Sequence, residues 1–378
     1  MIGSMMRRAM LGDGSTLNLD FTTGVLDSRL TFTRASTTAT YINSSGYVTT
    51  AGTNVARFDH DPTTQAPRGL LVEAQATNLL NWSASFATSG GTNNNWADTN
   101  ITRSSLGFDP TGVTAAITFS ASAGNATIIS SAAIGTSAAR TFSVWLRRVS
   151  GTGNIQYTQN NGTNWTTQAI TATWTRYTFT HTVDHRVGIR IVTSGDAIEM
   201  WGAQLETGSG ASSYIPTGAS QATRNADSCV MTGANFSSWY NQSQGSFFAS
   251  VQKNSTSAGH IFNANTSNSA PRIMMLYNSG WFLAGENPSG TNTPSLFIAT
   301  GAINASQKVA GAFQTGNYAA SANGLTAVTT STGTMPTGLN TLQIGAAEGG
   351  YQFLNGTIAL LKYWPTRLTN AQLQSLTT

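Results

Sequence analysis

From Leu17 onward, apolar and polar positions alternate with a period of two, the spacing of a strand that buries one face. Leu17, Leu19 and Phe21 open the pattern, and Leu30 and Phe32 continue it. The turn formers Asn43-Ser44-Ser45-Gly46, set between Tyr41 and Tyr47, predict a hairpin. Further strands are predicted over residues 141–147, 154–157, 174–179, 186–192 and 197–205. In the first of these, Phe142, Val144 and Leu146 take one face, and Ser143, Trp145 and Arg147 the other. In the fourth, Val187, Ile189 and Ile191 oppose Arg186 and Arg190; in the last, Ile198 and Met200 oppose Glu199 and Trp201. One face is plain core. The other carries tryptophan and arginine together, which a core does not need.

Alternation resumes with Phe247, Ala249 and Val251, while Phe248 takes the opposite side. Strands over 273–277 and 281–283 flank the turn Asn278-Ser279-Gly280, and 308–313, 342–345 and 356–364 complete the set. Thr369-Asn370-Ala371-Gln372 is a capping-box signal for one short closing helix. The predicted fold class is all-β: two tandem jelly-roll β-sandwich domains, a β-rich N-terminal segment and a short C-terminal helix. The expected divisions are an arm over residues 1–14, a hairpin-rich segment over 15–77, one sandwich over 78–216 and a second over 217–378.

Composition sharpens this picture. Charged residues make up 9% of the chain, against roughly 25% in an average soluble protein. The polar surface must therefore come from Ser, Thr, Asn, Gln and Gly. With 9 Trp, 10 Tyr and 16 Phe there is ample material for cores, unlike in a disordered chain. Net charge is +4, but no Lys/Arg run exceeds two residues, which argues against a nucleic-acid face. The single cysteine, Cys229, excludes intrachain disulfides and a cysteine-rich zinc site. Arg7 and Arg8 are followed by no apolar run of signal-peptide length, and no segment is apolar enough for a membrane-spanning helix. The expectation is synthesis in the cytoplasm without insertion into a membrane.

The stretch Met200-Trp201-Gly202-Ala203-Gln204-Leu205-Glu206, a Gly/Ser-rich loop, and Ser213-Tyr214-Ile215-Pro216 reads as a strand followed by a strap into the second sandwich. It resembles the ending of carbohydrate-binding-module-like domains in bacteriophage tail-fibre and appendage proteins. A second block strengthens the resemblance. It runs through Phe32-Thr33-Arg34-Ala35-Ser36, Ala39-Thr40-Tyr41, Arg57-Phe58-Asp59-His60-Asp61-Pro62, Gly69-Leu70-Leu71-Val72-Glu73 and Thr77-Asn78-Leu79-Leu80, with Thr38 inserted before Ala39. The last domain resembles concanavalin A-like (laminin-G-like) lectins through Leu342-Gln343-Ile344-Gly345, Asn355-Gly356-Thr357-Ile358-Ala359 and Leu368-Thr369-Asn370-Ala371-Gln372-Leu373.

The resemblance implies a virion structural protein, a tail fibre, tailspike-like piece or capsid appendage that presents lectin-like domains to host cell-surface polysaccharide. It also implies a homotrimer, and the Met-rich arm is expected to dock on other virion proteins. The rival classes are a free secreted glycan-binding or glycan-cleaving protein and a decoration with no ligand.

Little in the sequence supports catalysis. Glycoside hydrolysis usually needs two carboxyls about 5–10 Å apart. Asp227, Glu286 and Glu348 of the second sandwich are scattered in sequence, and Glu199 and Glu206 of the first stand about 23 Å apart along a strand. His60, His181, His185 and His260 have no metal-ligand spacing, and no cofactor motif is present. Asp59-His60-Asp61-Pro62 reads as a turn whose carboxylates Arg57 and Arg68 neutralise. Sugar binding needs aromatic faces for the C–H side of the ring and planar polar groups for its hydroxyls. The candidate residues are Trp145, Arg147, Glu199 and Trp201, extended by Tyr157, Trp165 and Arg190. Burial of the same face as packing is the structural alternative.

Overall fold

The computed structural model describes residues 13–86, 96–130, 138–183, 186–266, 270–287 and 292–378. The chain is all-β and forms two compact units. One comprises residues up to Ala35, Thr53–Ala74 and Ala226–Thr378; the other comprises Ser36–Gly52 and Gln75–Asn225.

In the first unit, two antiparallel sheets enclose one large core. Among the described residues one sheet has eight strands and the other seven. The C-terminal strand Gly356–Trp364 is paired by chain from three distant regions. Leu17–Asp20 runs beside it with Leu19 opposite Leu361, Pro67–Val72 with Leu70 opposite Ile358, and Gln244–Lys253 with Phe247 opposite Tyr363. The segment over 15–77 is thus divided between the units instead of standing apart. A few short strands bury too little to be stable alone. Leu17, Leu19, Phe21, Phe32, Leu70 and Val72 all finish the core of the first unit. The predicted hairpin is present as Ala39–Ile42 and Val48–Ala51, in the second unit, with Asn43 Oδ1 accepting from the backbone N–H groups of Ser45 and Tyr47.

A buried ionic network lies in the first unit. Arg34 and Arg57 both reach Asp227, at 3.1 and 2.6 Å, and Arg57 also reaches Glu73 at 2.8 Å. The Glu73 N–H donates to Asp227 at 2.9 Å. Arg34, Arg57 and Glu73 come from the N-terminal block, and these three charged positions are internal fastenings. Arg68 pairs with Asp61 at 2.7 Å, and Asp61 accepts from the N–H groups of Thr63 and Thr64, so this acidic run is a turn. The closing helix is Asn370–Thr377, with the Thr369–Gln372 capping box in place.

The second unit stacks two sheets of five strands each, counted among the described residues. One is ordered Thr175–Val183, Ala138–Ser150, Ala197–Thr207, Thr114–Ala121, Ile101–Phe108. The other is ordered Thr166–Gln168, Ile155–Thr158, Gly188–Ile191, Ala126–Ser130, Trp96–Thr99. Phe142, Val144, Leu146, Ile198 and Met200 lie in the shared core with Ile189 and Ile191, as their alternation predicts. Of the expected arm, residues 1–12 lie outside the described residues. Asp13 pairs with Lys362 at 2.7 Å, and its carbonyl accepts from Trp364 Nε1 at 2.9 Å.

Candidate functional site

Cross-strand register brings the first group of candidates together. Trp145 stands opposite Trp201, and Arg147 opposite Glu199. Arg147 Nε donates to Glu199, Thr118 Oγ1 adds a bond to Glu199 at 3.3 Å, and the Arg147 guanidinium lies 5.1 Å from the centre of the Trp174 ring. The four residues therefore share one face of one sheet. That face is not open. Trp145 and Trp201 are each 5% exposed and form a closed cluster with Val48 and Tyr214. Rings so enclosed offer no plate to a sugar, and here the structure corrects the open-face reading.

The cover is supplied by the motif itself. Gly202 has φ +62, a left-handed conformation that glycine adopts without steric cost. It lies where the pairing of Ala138–Ser150 with Ala197–Thr207 shifts register. Gln204 Oε1 then accepts from the Ile215 N–H at 2.6 Å, and Glu206 accepts from the Ser212 N–H at 2.9 Å. Gln204 Nε2 donates to Glu206 at 2.6 Å. Burial pushes the Glu206 carboxyl above the usual carboxylate range, against the bonds from Ser212 and Gln204. The strap is thereby held back over the sheet. Tyr214 comes to 4.6 Å from Trp201, ring centre to ring centre, with its hydroxyl 2.6 Å from Ser83 Oγ. Thr40 of the hairpin fastens the Tyr214 carbonyl at 2.5 Å.

The second group lies on the other sheet of the unit. Tyr157 turns inward and stacks on Phe179 at 3.7 Å, so it belongs to packing. Trp165 and Arg190 point the other way. The guanidinium sits 4.5 Å from the centre of the half-buried Trp165 ring, a cation–π distance. Arg190 Nε donates to Gln156 Oε1 at 2.8 Å, and Gln156 Nε2 donates to Thr167 Oγ1 at 3.2 Å. Register places Gln156 and Thr127 on either side of Arg190. Gln156 and Thr127 were missed in the sequence. Period-two alternation from Ile155, a core residue, would have put Gln156 on the outer face. The result is a small outward platform: one aromatic ring, one guanidinium plane and one amide, linked and partly exposed.

Burial pushes the Cys229 thiol far up, with the Asp227 charge adding to the effect. No group of three metal-ligating side chains occurs among the described residues. His181 Nδ1 lies 2.9 Å from the Thr182 carbonyl oxygen, and His185 lies outside the described residues.

No protein-family model matches the chain, and no curated protein does. Solved structures do show likeness. The carbohydrate-binding module CBM40 of the Ruminococcus gnavus IT-sialidase, bound to alpha2,3 sialyllactose, matches at 17% identity and a TM-score of 0.32, over 36% of this chain and 84% of that one. Domain 4 of AbnA, a GH43 extracellular arabinanase from Geobacillus stearothermophilus, in complex with arabinotriose, matches at 16% and 0.32, over 45% and 82%. The Trypanosoma rangeli sialidase, in complex with the inhibitor DANA, matches at 11% and 0.31, over 40% of this chain and 26% of that one. The likeness is one of fold alone.

Proposed function

We propose that the chain is a carbohydrate-binding protein without catalytic activity, and that the Trp165–Arg190–Gln156 platform is a contact surface for glycan. The observation that carries this reading is the half-buried Trp165 ring stacked with Arg190 at 4.5 Å on an outer sheet face. An aromatic plate takes the C–H side of a sugar ring, while guanidinium and amide groups donate to its hydroxyls. Among the described residues, the acidic groups of this unit are engaged structurally, which favours binding over cleavage. Glu199 is paired to Arg147, Glu206 bonds Ser212 and Gln204, Asp196 is paired to Arg148 and Asp98 to Arg103, and Asp109 accepts from Thr111. Full-length protein on a glycan array, with hits titrated against Trp165→Ala, tests the reading. The variant should lose about 1–3 kcal/mol of affinity and keep its melting temperature. Equal affinity in the two proteins would remove the platform from consideration.

The resemblance to phage appendage proteins supports placing this binding protein on a virion, as a homotrimer held by its N-terminal arm. That placement rests on sequence blocks of which Arg34, Arg57 and Glu73 are internal to the fold. Mass spectrometry of purified particles and light scattering of the isolated chain test it. Absence from particles would favour the free glycan-binding protein, and a monomer in solution would remove the trimer.

A further inference from the structure

The other unit carries a cleft that no sequence motif marks. Gly259–Asn265, Arg272–Tyr277, Trp281–Glu286 and Asn292–Ala299 lie side by side and antiparallel. Alternation sends Ile273, Met275 and Leu283 into the core. It leaves Arg272, Met274, Phe282 and Glu286 on the opposite face, where with His260 and Gln352 they line a cleft of about 250 Å³. That is the volume of roughly eight liquid waters, enough for one small ring.

The polar groups of the cleft are arranged in an unusual way. Arg272 and Glu286 form a two-point pair, Nε to Oε2 at 2.7 Å and Nη2 to Oε1 at 2.9 Å. The third nitrogen, Arg272 Nη1, is buried and has no hydrogen-bond partner. His260 is 2% exposed, and its Nε2 lies 3.0 Å from Gln352 Oε1. An amide oxygen only accepts, so Nε2 holds the ring proton and Nδ1 is a bare acceptor. Nδ1 is likewise buried without a partner. Burial, with the nearby Arg272 charge, lowers the imidazole to about 4, so it is neutral at ordinary pH. Leaving a buried donor and a buried acceptor unmade costs free energy, and native folds seldom do so without a reason.

The charge count selects the ligand. Arg272 is already matched by Glu286 and His260 is neutral, so an anionic ligand would meet the Glu286 carboxylate with no spare cation. The unpaired donor and acceptor ask for groups that can both accept and donate, which hydroxyls do. Met274 and Phe282 supply the apolar wall. We propose that this cleft binds one neutral, polyhydroxylated ring, a sugar residue whose hydroxyls accept from Arg272 and donate to His260 while its C–H face lies along Met274 and Phe282. The site is independent of the platform around Trp165.

The test uses the full chain carrying Trp165→Ala, so that the first platform is disabled. Ligand-observed NMR titrations use D-glucose, D-galactose, D-mannose and N-acetyl-D-glucosamine as probes, with D-glucuronate as the charged control, at neutral pH. At least one neutral sugar should saturate the protein in the millimolar range and outcompete glucuronate. Ser295 is an exposed residue lining the cleft. Ser295→Trp fills the cleft without removing a contact and should weaken binding at least roughly tenfold, a change of about 1.4 kcal/mol, with the melting temperature unchanged. Should melting shift, Phe282→Ala replaces it and should weaken binding likewise. Failure of every neutral sugar to saturate, preference for glucuronate, or undiminished binding in the well-folded cleft variant would each overturn the proposal.

Discussion

Arg57 and Asp227 stand 170 positions apart in the chain and 2.6 Å apart in space, with both side chains wholly out of solvent. Neither is a simple pair. Asp227 also holds Arg34 and the Glu73 N–H, and Arg57 also holds Glu73. Two guanidinium groups and two carboxylates balance, and the network ties three separated stretches of sequence into one unit. Burying charge is expensive, so such a network adds little net stability over an apolar replacement, but taking one member out strands the others. Arg57→Met should therefore destabilise this unit by about 3–5 kcal/mol. Calorimetry of the full chain would show it as a lowered transition. A shift within about 0.5 kcal/mol, typical of surface changes, would mean that the network relaxes far more readily than its enclosure suggests.

Trp145 and Trp201 give a prediction of the opposite sense from the one their sequence pattern invites. Because Tyr214 and Val48 close over them, truncation opens a cavity in place of removing a ligand contact. Trp145→Ala and Trp201→Ala should each cost about 3–5 kcal/mol of stability. Glycan affinity of the folded fraction should stay that of the parent chain. Loss of binding with an unchanged melt in either variant would restore the open-face reading.

The outcome shows which parts of this fold can be read from sequence. Strand faces were legible wherever large apolar residues alternate, as in Ala138–Ser150 and Ala197–Thr207, whereas the register that sets Arg147 opposite Glu199 came from the structure. Tyr318–Ala322, with the sequence YAASA, was not, because alanine and serine differ too little to mark a face. Whether a face is covered is a property of distant chain. Nothing near Trp201 in sequence announces the hairpin Ala39–Ile42/Val48–Ala51 that helps to enclose Trp145 and Trp201. The split of the first 77 residues between two units was illegible for the same reason. Strand pairing across hundreds of positions leaves no local trace. The cleft escaped because Arg272 and Glu286 are opposite in register but fourteen apart in sequence.

One motif glycine has a clear physical duty. Gly69 has φ +92, and a Cβ there would lie 2.2 Å from the Ile358 carbonyl oxygen. It allows Pro67–Val72 to lie against the C-terminal strand where Leu70 meets Ile358. Gly69→Ala imposes a left-handed conformation on a residue with a Cβ, worth about 1–2 kcal/mol, and forces the two backbones apart as well. The measured loss in urea unfolding should exceed that conformational figure. A near-neutral effect would show that these strands can separate locally without loss.

Lys253 gives the pH test. Its ammonium is buried, donates to the Leu354 carbonyl at 2.8 Å and to Ser255 Oγ at 3.4 Å, and lies 5.5 Å from the centre of the Tyr277 ring. Burial lowers the group from 10.5 to about 8. The unfolded chain therefore keeps this proton at pH values where the folded chain has released it. Between about 8 and 10.5 the unfolded state binds more protons, so this group's contribution to stability rises with pH. Below about 8 both states are protonated and the full cost of burying the charge is present. Lys253→Met removes the titration and retains most of the apolar stem. Urea unfolding of both proteins across this range should show parent stability gaining on the variant as pH rises through the window, with a constant difference below it. A difference that is flat throughout would mean that Lys253 keeps an ordinary proton affinity in the folded state, and one that grows in favour of the variant would mean that folding raises that affinity.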